Sequence, residues 1–166
     1  VISRGAAVIA GTAWVDSAVG KGSAPTILRL ASKRDELSVV SDQRGTPTNA
    51  LDIADGAIAV ARNLVTRPDG ASLRGVFHMT GGGDTHWAEF AEAIFAASKT
   101  VGGPSAHVIP IPSSAYPTPA KRPANSRLDN ERLAQLHNVR LPNWRDSLPA
   151  TITRLVAQDH QGTSSI

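Results

Sequence analysis

Ala6-Ala-Val-Ile-Ala10, running straight into Gly11-Thr-Ala-Trp14, is the stretch whose reading decides the fold. Its small and β-branched residues form an unbroken apolar run, as expected of a strand buried on both faces of a parallel sheet. Gly75-Val-Phe-His-Met79 reads as a second such strand, and Leu37–Val40 and Val108–Ile111 as shorter ones. Between them the period changes from strand to helix. Ser23 is placed to cap a helix with Pro25 in its first turn and Ile27, Leu28, Leu30 and Ala31 on one face, ending by Arg34. Asn49 with Asp52 three residues on signals the start of a long helix carrying Leu51, Ile53, Ala54, Ala57, Ile58, Ala61, Leu64 and Val65. Gly81-Gly-Gly83 is an exit turn and Thr85 the expected cap of a helix with Trp87, Phe90, Ile94 and Phe95 as core. A short helix over Asn130–Leu136 and a last one over Trp144–Val156 follow, with Trp144 as a staple and Pro149 as the point of a break. Strands alternating with helices make the chain α/β, with a mostly parallel sheet.

Size and composition narrow the function classes. The 166 residues suit one domain or half of a larger enzyme, and 41% hydrophobic with 19% charged residues is ordinary globular material. From a first residue of Val rather than Met a missing beginning is expected, and from the polar stretch 160–166 a frayed tail. The net charge is only +3, and the basic residues are scattered from Arg4 to Arg154 without a stripe or interleaved aromatics, which argues against nucleic acid. Arg outnumbers Lys, which suits bidentate recognition of phosphate or carboxylate. With no cysteine and five histidines lacking zinc spacing, zinc chemistry has no support, and the chain suits a reducing cytoplasm. The longest apolar run, about five residues, is too short for a membrane span.

Several familiar motifs fail on inspection. Gly81-Gly-Gly-Asp-Thr-His86 follows a strand and opens a helix, but His86 stands where a dinucleotide fingerprint needs its third glycine. Gly20-Lys-Gly-Ser23 lacks the upstream glycine of a P-loop, where Val15 stands, and no G-x-S-x-G elbow occurs. Tyr116 is the only tyrosine; Lys121 lies five positions on, with Pro117 and Pro119 forbidding a helix between them. A Tyr–Lys proton donor therefore lies outside this chain. The segment from Pro112 to Ser126, about fifteen residues with four prolines, has the length of a loop that binds or covers something.

Thr12-Ala-Trp14, Asp42-Gln-Arg-Gly-Thr-Pro-Thr48, Leu51-Asp-Ile-Ala54, Gly75-Val-Phe-His78, Trp87-Ala-Glu-Phe-Ala-Glu-Ala-Ile94 and Tyr116-Pro-Thr-Pro-Ala-Lys-Arg-Pro-Ala-Asn-Ser-Arg-Leu-Asp129 form a series in order. It resembles the dTDP-4-dehydrorhamnose reductase family of extended short-chain dehydrogenase/reductases, from about Val8 to Leu155. The resemblance implies the C-terminal part of such an enzyme over residues 1–159: a few parallel strands of a Rossmann-type sheet, about 6–10 and 75–79, with a smaller helical substrate-binding subdomain. The family's reaction is NADPH-dependent reduction of dTDP-4-dehydro-L-rhamnose, with catalytic Tyr, Lys and the cofactor's glycine motif before the point matching Val1. This chain is then expected to supply no catalytic residue and to be inactive alone.

Roles follow by position. Trp14, at a strand's carboxyl end, is expected at the sugar, with a plain core role as its competitor. Asp42, Gln43 and Thr48 are candidates for hydrogen bonds to sugar or nicotinamide, or are simple turn formers. Arg122, Asn125, Ser126 and Arg127 offer a guanidinium fork and polar donors to a nucleotide diphosphate. Thr12 and Ala13 are cofactor candidates. Gly11, Asp16 and the Gly22-Ser23 pair depart from the family pattern, which has Arg, Tyr and Asn-Phe there. A homodimer of the full-length protein stays open, as do two other readings: a non-catalytic nucleotide-sugar-binding or regulatory module, and an inactive truncation.

Overall fold

The computed structural model describes residues 7–20, 22–67, 72–120 and 122–163, the last four by their backbone alone. Eight short strands pair two by two among these residues. β1 (Val8–Gly11) runs parallel to β6 (Gly75–His78), β2 (Val15–Asp16) to β5 (Thr48–Asn49), and β3 (Glu36–Val40) to β8 (His107–Ile111). β4 (Arg44–Gly45) and β7 (Thr85–His86) are antiparallel. Five helices connect them: α1 (Ser23–Ala31), α2 (Ala50–Thr66), α3 (Trp87–Thr100), α4 (Glu131–His137) and α5 (Trp144–Thr163). No helix is long and apolar enough to cross a membrane among the described residues.

Two apolar cores result. The larger joins α1, β3, β8, α3 and α5 through Leu28, Phe90, Ile94, Trp144 and Ile152. The smaller joins α2, β6 and α4 through Val60, Phe77, Met79, Leu133 and Val139. Each fully buried Leu, Ile or Phe contributes roughly 1.5–3 kcal/mol of transfer free energy, so these faces, and not intrinsic propensity, hold the helices. In α2 the inward face is fixed by Gly56, where a Cβ would come within 3.0 Å of Leu141 and 3.1 Å of Met79.

Four expectations need correction. The strand at Ala6–Ala10 begins at Val8, Ala6 lying outside the described residues, and it is not buried on both faces: Ile9 is 53% exposed and its register partner Val76 54%. A two-strand ribbon has one side covered, here the side of Phe77 and Met79. Ser23 does not cap α1. The cap residue is Gly22, and the acceptor comes from Asp16, whose Oδ1 takes the Ala24 N–H at 3.1 Å. Nor does Thr85 cap α3: His86 does, its Nδ1 accepting from Glu89 N at 3.2 Å, while the Thr85 hydroxyl donates to the Glu89 carboxylate at 2.6 Å.

The fourth correction concerns α5, which passes through Pro149 without breaking and continues beyond Val156 to Thr163. Pro149 and Arg145 are both exposed, so water can satisfy the Arg145 carbonyl, which proline, having no N–H, leaves without its helical donor. Residues 164–166 of the expected tail lie outside the described part. The Asn49 cap of α2 is as expected, its side chain accepting from Leu51 N at 2.8 Å.

Candidate functional site

A cavity of about 490 Å³ opens beside α1. Ile27, Leu30 and Val39 give it apolar walls, and Trp87 sets an indole against it. Polar groups line the rest: Ser23 and Thr26 from the first turn of α1, Ser38 from β3, Gln43 from the loop after β3, and Tyr116 and Arg122 from the proline-rich loop. Arg122 is exposed and has no ion-pair partner among the described residues. An apolar trough with an aromatic wall and one free guanidinium suits an anion carrying a flat organic group.

Trp14 stands behind this cavity rather than in its lining. It stacks on Trp87 with ring centroids 3.6 Å apart and planes 10° from parallel, and its Nε1 donates to Ser126 Oγ at 3.0 Å. Its backbone is left-handed, φ +48°, which costs a non-glycine residue on the order of 1 kcal/mol or more. The stack and the hydrogen bond are each worth about 1 kcal/mol, enough together to offset that strain. Gly45 completes the seat: a Cβ there would lie 2.2 Å from the Trp14 ring.

The remaining expected residues divide by what they touch. Gln43 and Arg122 line the cavity directly. Ser126 ties the loop down, its N–H and hydroxyl both donating to the Arg44 carbonyl, at 2.9 and 3.1 Å, while its oxygen receives Trp14. Asn125 accepts from Arg127 N and Nε, and Arg127 reaches Asp84 at 3.2 Å. Arg44 donates to the same Asp84 oxygen through Nε and Nη2, and these bonds hold the Asp84 carboxyl below its ordinary range. Asp42 is engaged as well. Both its oxygens accept from Ser113 N at 3.0 Å, and that backbone bond lowers its pKa.

Thr48 is buried at 1% exposure, its hydroxyl donating to Thr46 O and accepting from Gly81 N, away from the cavity. Thr12 is exposed and Ala13 half-buried after β1. Sequence reasoning missed Arg44 and Asp84, which lie 40 residues apart and meet only through the β4–β7 pairing. It also placed Trp87 wholly in the core. Its position as the first residue of α3, directly after the cap, is the signal that it sits at a rim.

The comparisons with known proteins cover this whole arrangement. A family model described as the RmlD substrate binding domain matches residues 3–157. The chain belongs to this family.

Among relatives of this RmlD substrate-binding chain, the dTDP-4-dehydrorhamnose reductase of Burkholderia thailandensis is 45% identical over 152 residues, covering 89% of this chain and 51% of its own length. The crystal structure of a dTDP-4-dehydrorhamnose reductase from Clostridium acetobutylicum superposes with a TM-score of 0.75 at 32% identity, over 87% of this chain and 47% of that one. The Bacillus anthracis reductase, solved in complex with NADP, gives 0.73 at 28% identity over the same shares. The α/β fold is therefore that of extended short-chain dehydrogenase/reductases. The chain spans about half the length of the curated relatives it matches.

A dinucleotide needs a glycine turn open to its phosphates, and three glycines of the candidate turns, Gly22, Gly81 and Gly83, are closed by their own chain. A Cβ at Gly81 would lie 2.7 Å from Pro47 O, one at Gly83 2.7 Å from Asn143 Nδ2, and one at Gly22 2.6 Å from Asp16 Oδ1. Those three glycines thus present no open cradle to the phosphates of a nicotinamide dinucleotide. Thr12 and Ala13 bring one side-chain hydroxyl, which can donate or accept, and no charge.

Proposed function

We infer that this chain is the nucleotide-sugar-binding part of an NADPH-dependent dTDP-4-dehydrorhamnose reductase, the activity that forms dTDP-L-rhamnose. The observation that carries this reading is Arg122, without an ion-pair partner among the described residues, in the lining of a trough walled by Ile27, Leu30 and Trp87. Family membership gives the trough its candidate occupant: a thymidine diphosphate sugar brings one flat base, two phosphates and a hydroxyl-rich ring. Arg122 would meet the diphosphate, while Ser23, Thr26, Ser38 and Gln43 offer hydrogen bonds to base or sugar. The loop that carries Arg122 is already anchored at both ends, by Asp42 on Ser113 and by Ser126 on Arg44. Binding then orders few residues, and the entropic cost is correspondingly small.

Tyr116 is 57% exposed on this loop, just after a 3-10 turn over Ser113–Ala115, and offers no helical partner for proton transfer. The catalytic acid and the cofactor's phosphate site accordingly belong to the part of the enzyme outside these residues. Titration calorimetry with dTDP and dTDP-L-rhamnose tests the binding claim. The chain should bind both saturably, and Arg122→Ala should weaken dTDP at least tenfold, the equivalent of a charge-assisted hydrogen bond. Absence of saturable binding by the unaltered chain would sink the proposal. NADPH oxidation with dTDP-4-dehydro-L-rhamnose should stay at the no-enzyme rate, and a rate above it would refute the inactivity of the isolated chain.

A further inference from the structure

The start of α1 forms part of the trough wall, with Gly22, Ser23 and Thr26 in the lining. A helix start that borders a cavity is ordinarily open to anions, because its leading N–H groups have no partner within the helix. In this first turn each residue either has its N–H engaged or lacks one. The Ala24 N–H donates to Asp16 Oδ1 at 3.1 Å, and the Ser23 N–H faces the same carboxyl group. Pro25 has no N–H to give, and the Thr26 N–H donates to Gly22 O at 3.4 Å. The turn that touches the trough therefore keeps no backbone donor for a phosphate.

What engages those donors is a charge. Asp16 is buried at 5% exposure and forms no ion pair among the described residues. Gly22 alone stands between it and the trough: a Cβ on Gly22 would lie 2.6 Å from Asp16 Oδ1, so the carboxylate sits directly behind the wall. Asn caps a helix as well as Asp does. Burial pushes the Asp16 pKa above 3.8, so the charge is carried at a cost in stability that an amide would not incur. A carboxylate kept at such a cost beside a cavity points to a role at the cavity.

We propose that Asp16 is a positioning residue that bars anions from the α1 wall of the trough and so directs a ligand's phosphates to Arg122. Arg122, carried by the proline-rich loop, is the cation of the lining among the described residues. Repulsion at one wall and attraction at another give the trough a polarity, and specificity then comes from a disfavoured placement as much as from a favoured one. The uncharged part of the ligand is left to the α1 wall, where Ser23 offers a hydroxyl. This orientation rests on the nucleotide-sugar reading of the site; the exclusion of anions from α1 does not.

Inorganic pyrophosphate, titrated near neutral pH and followed by the backbone amide NMR signals of Ser23 and Ala24, tests the exclusion without a nucleotide. Asp16→Ala removes charge and acceptor together, whereas Asp16→Asn removes the charge and keeps an acceptor for the start of α1. Each is made with Arg122→Ala, so that an anion held at the loop does not reach these signals. In both variants the two amides should report pyrophosphate at least tenfold more tightly than in the chain carrying Arg122→Ala alone. An equal response in all three chains, or no response at these amides in either Asp16 variant, overturns the proposal. Calorimetry reads the orientation. In Asp16→Asn the ratio of dTDP affinity to thymidine affinity should rise by roughly threefold or more, whereas mere loosening of α1 would weaken both ligands alike. An unchanged or lower ratio overturns the proposal as well. Should the unaltered chain bind no dTDP, the nucleotide-sugar reading falls, and the pyrophosphate response still decides the exclusion at α1.

Discussion

Trp14 carries the most information of any single residue. Its position after β1 is legible in sequence; its partners are not, because Trp87, Gly45 and Ser126 come from three distant segments brought together by pairing of β4 with β7 and with the loop at Asn125. The same holds for Asp16, where a departure from the family pattern becomes a buried acceptor for the first turn of α1. No local pattern announces a cap supplied from eight residues upstream. Gly45 is the sharper test of the Trp14 seat. Gly45→Ala puts a methyl group into the indole and should cost about 1–3 kcal/mol, the usual penalty for overpacking, read as a lower urea midpoint. A cost near zero would mean that Trp14 is free to move aside.

The helices were legible as elements and less so at their ends. α2 follows from its cap and period alone, and the Phe90–Ile94–Phe95 face of α3 from its spacing. Caps failed where a side chain outside the local signature won, as His86 did over Thr85. Pro149 was misjudged for another reason: α5 is held by Trp144, Leu148, Ile152, Leu155 and Val156 in the main core, which outweighs one lost backbone bond. Proline in a helix interior is worse than alanine by up to about 3 kcal/mol. Pro149→Ala should therefore raise the free energy of unfolding by roughly 1–3 kcal/mol in urea denaturation. Unchanged or reduced stability would show that the proline fixes a bend the packing needs.

Over the whole molecule, acidification sets two effects against each other. Burial raises the pKa of Asp16 above 3.8, so its contribution to stability is present below that value and is lost as pH rises through the folded pKa. Asp42, Asp84 and Glu131 are lowered by Ser113, Arg44 and Arg140 respectively, so theirs is present above the ordinary carboxylate range and lost as pH falls through the folded pKa values. From neutral pH downward, stability should first rise as Asp16 takes up its proton and then fall. Asp16→Asn should abolish the rise and keep the fall, measured as urea midpoints between about pH 7 and 3; a rise that survives the substitution would assign it to another group. Fold class and family were legible from segments in order, whereas the cavity was not, since α1, β3, Trp87 and the proline loop converge only in three dimensions. The Trp14–Trp87 pair has one more consequence. Two indoles face to face at 3.6 Å couple their electronic transitions, so the chain carries an optical reporter whose split circular-dichroism band should shift when anything enters the space that Trp87 borders.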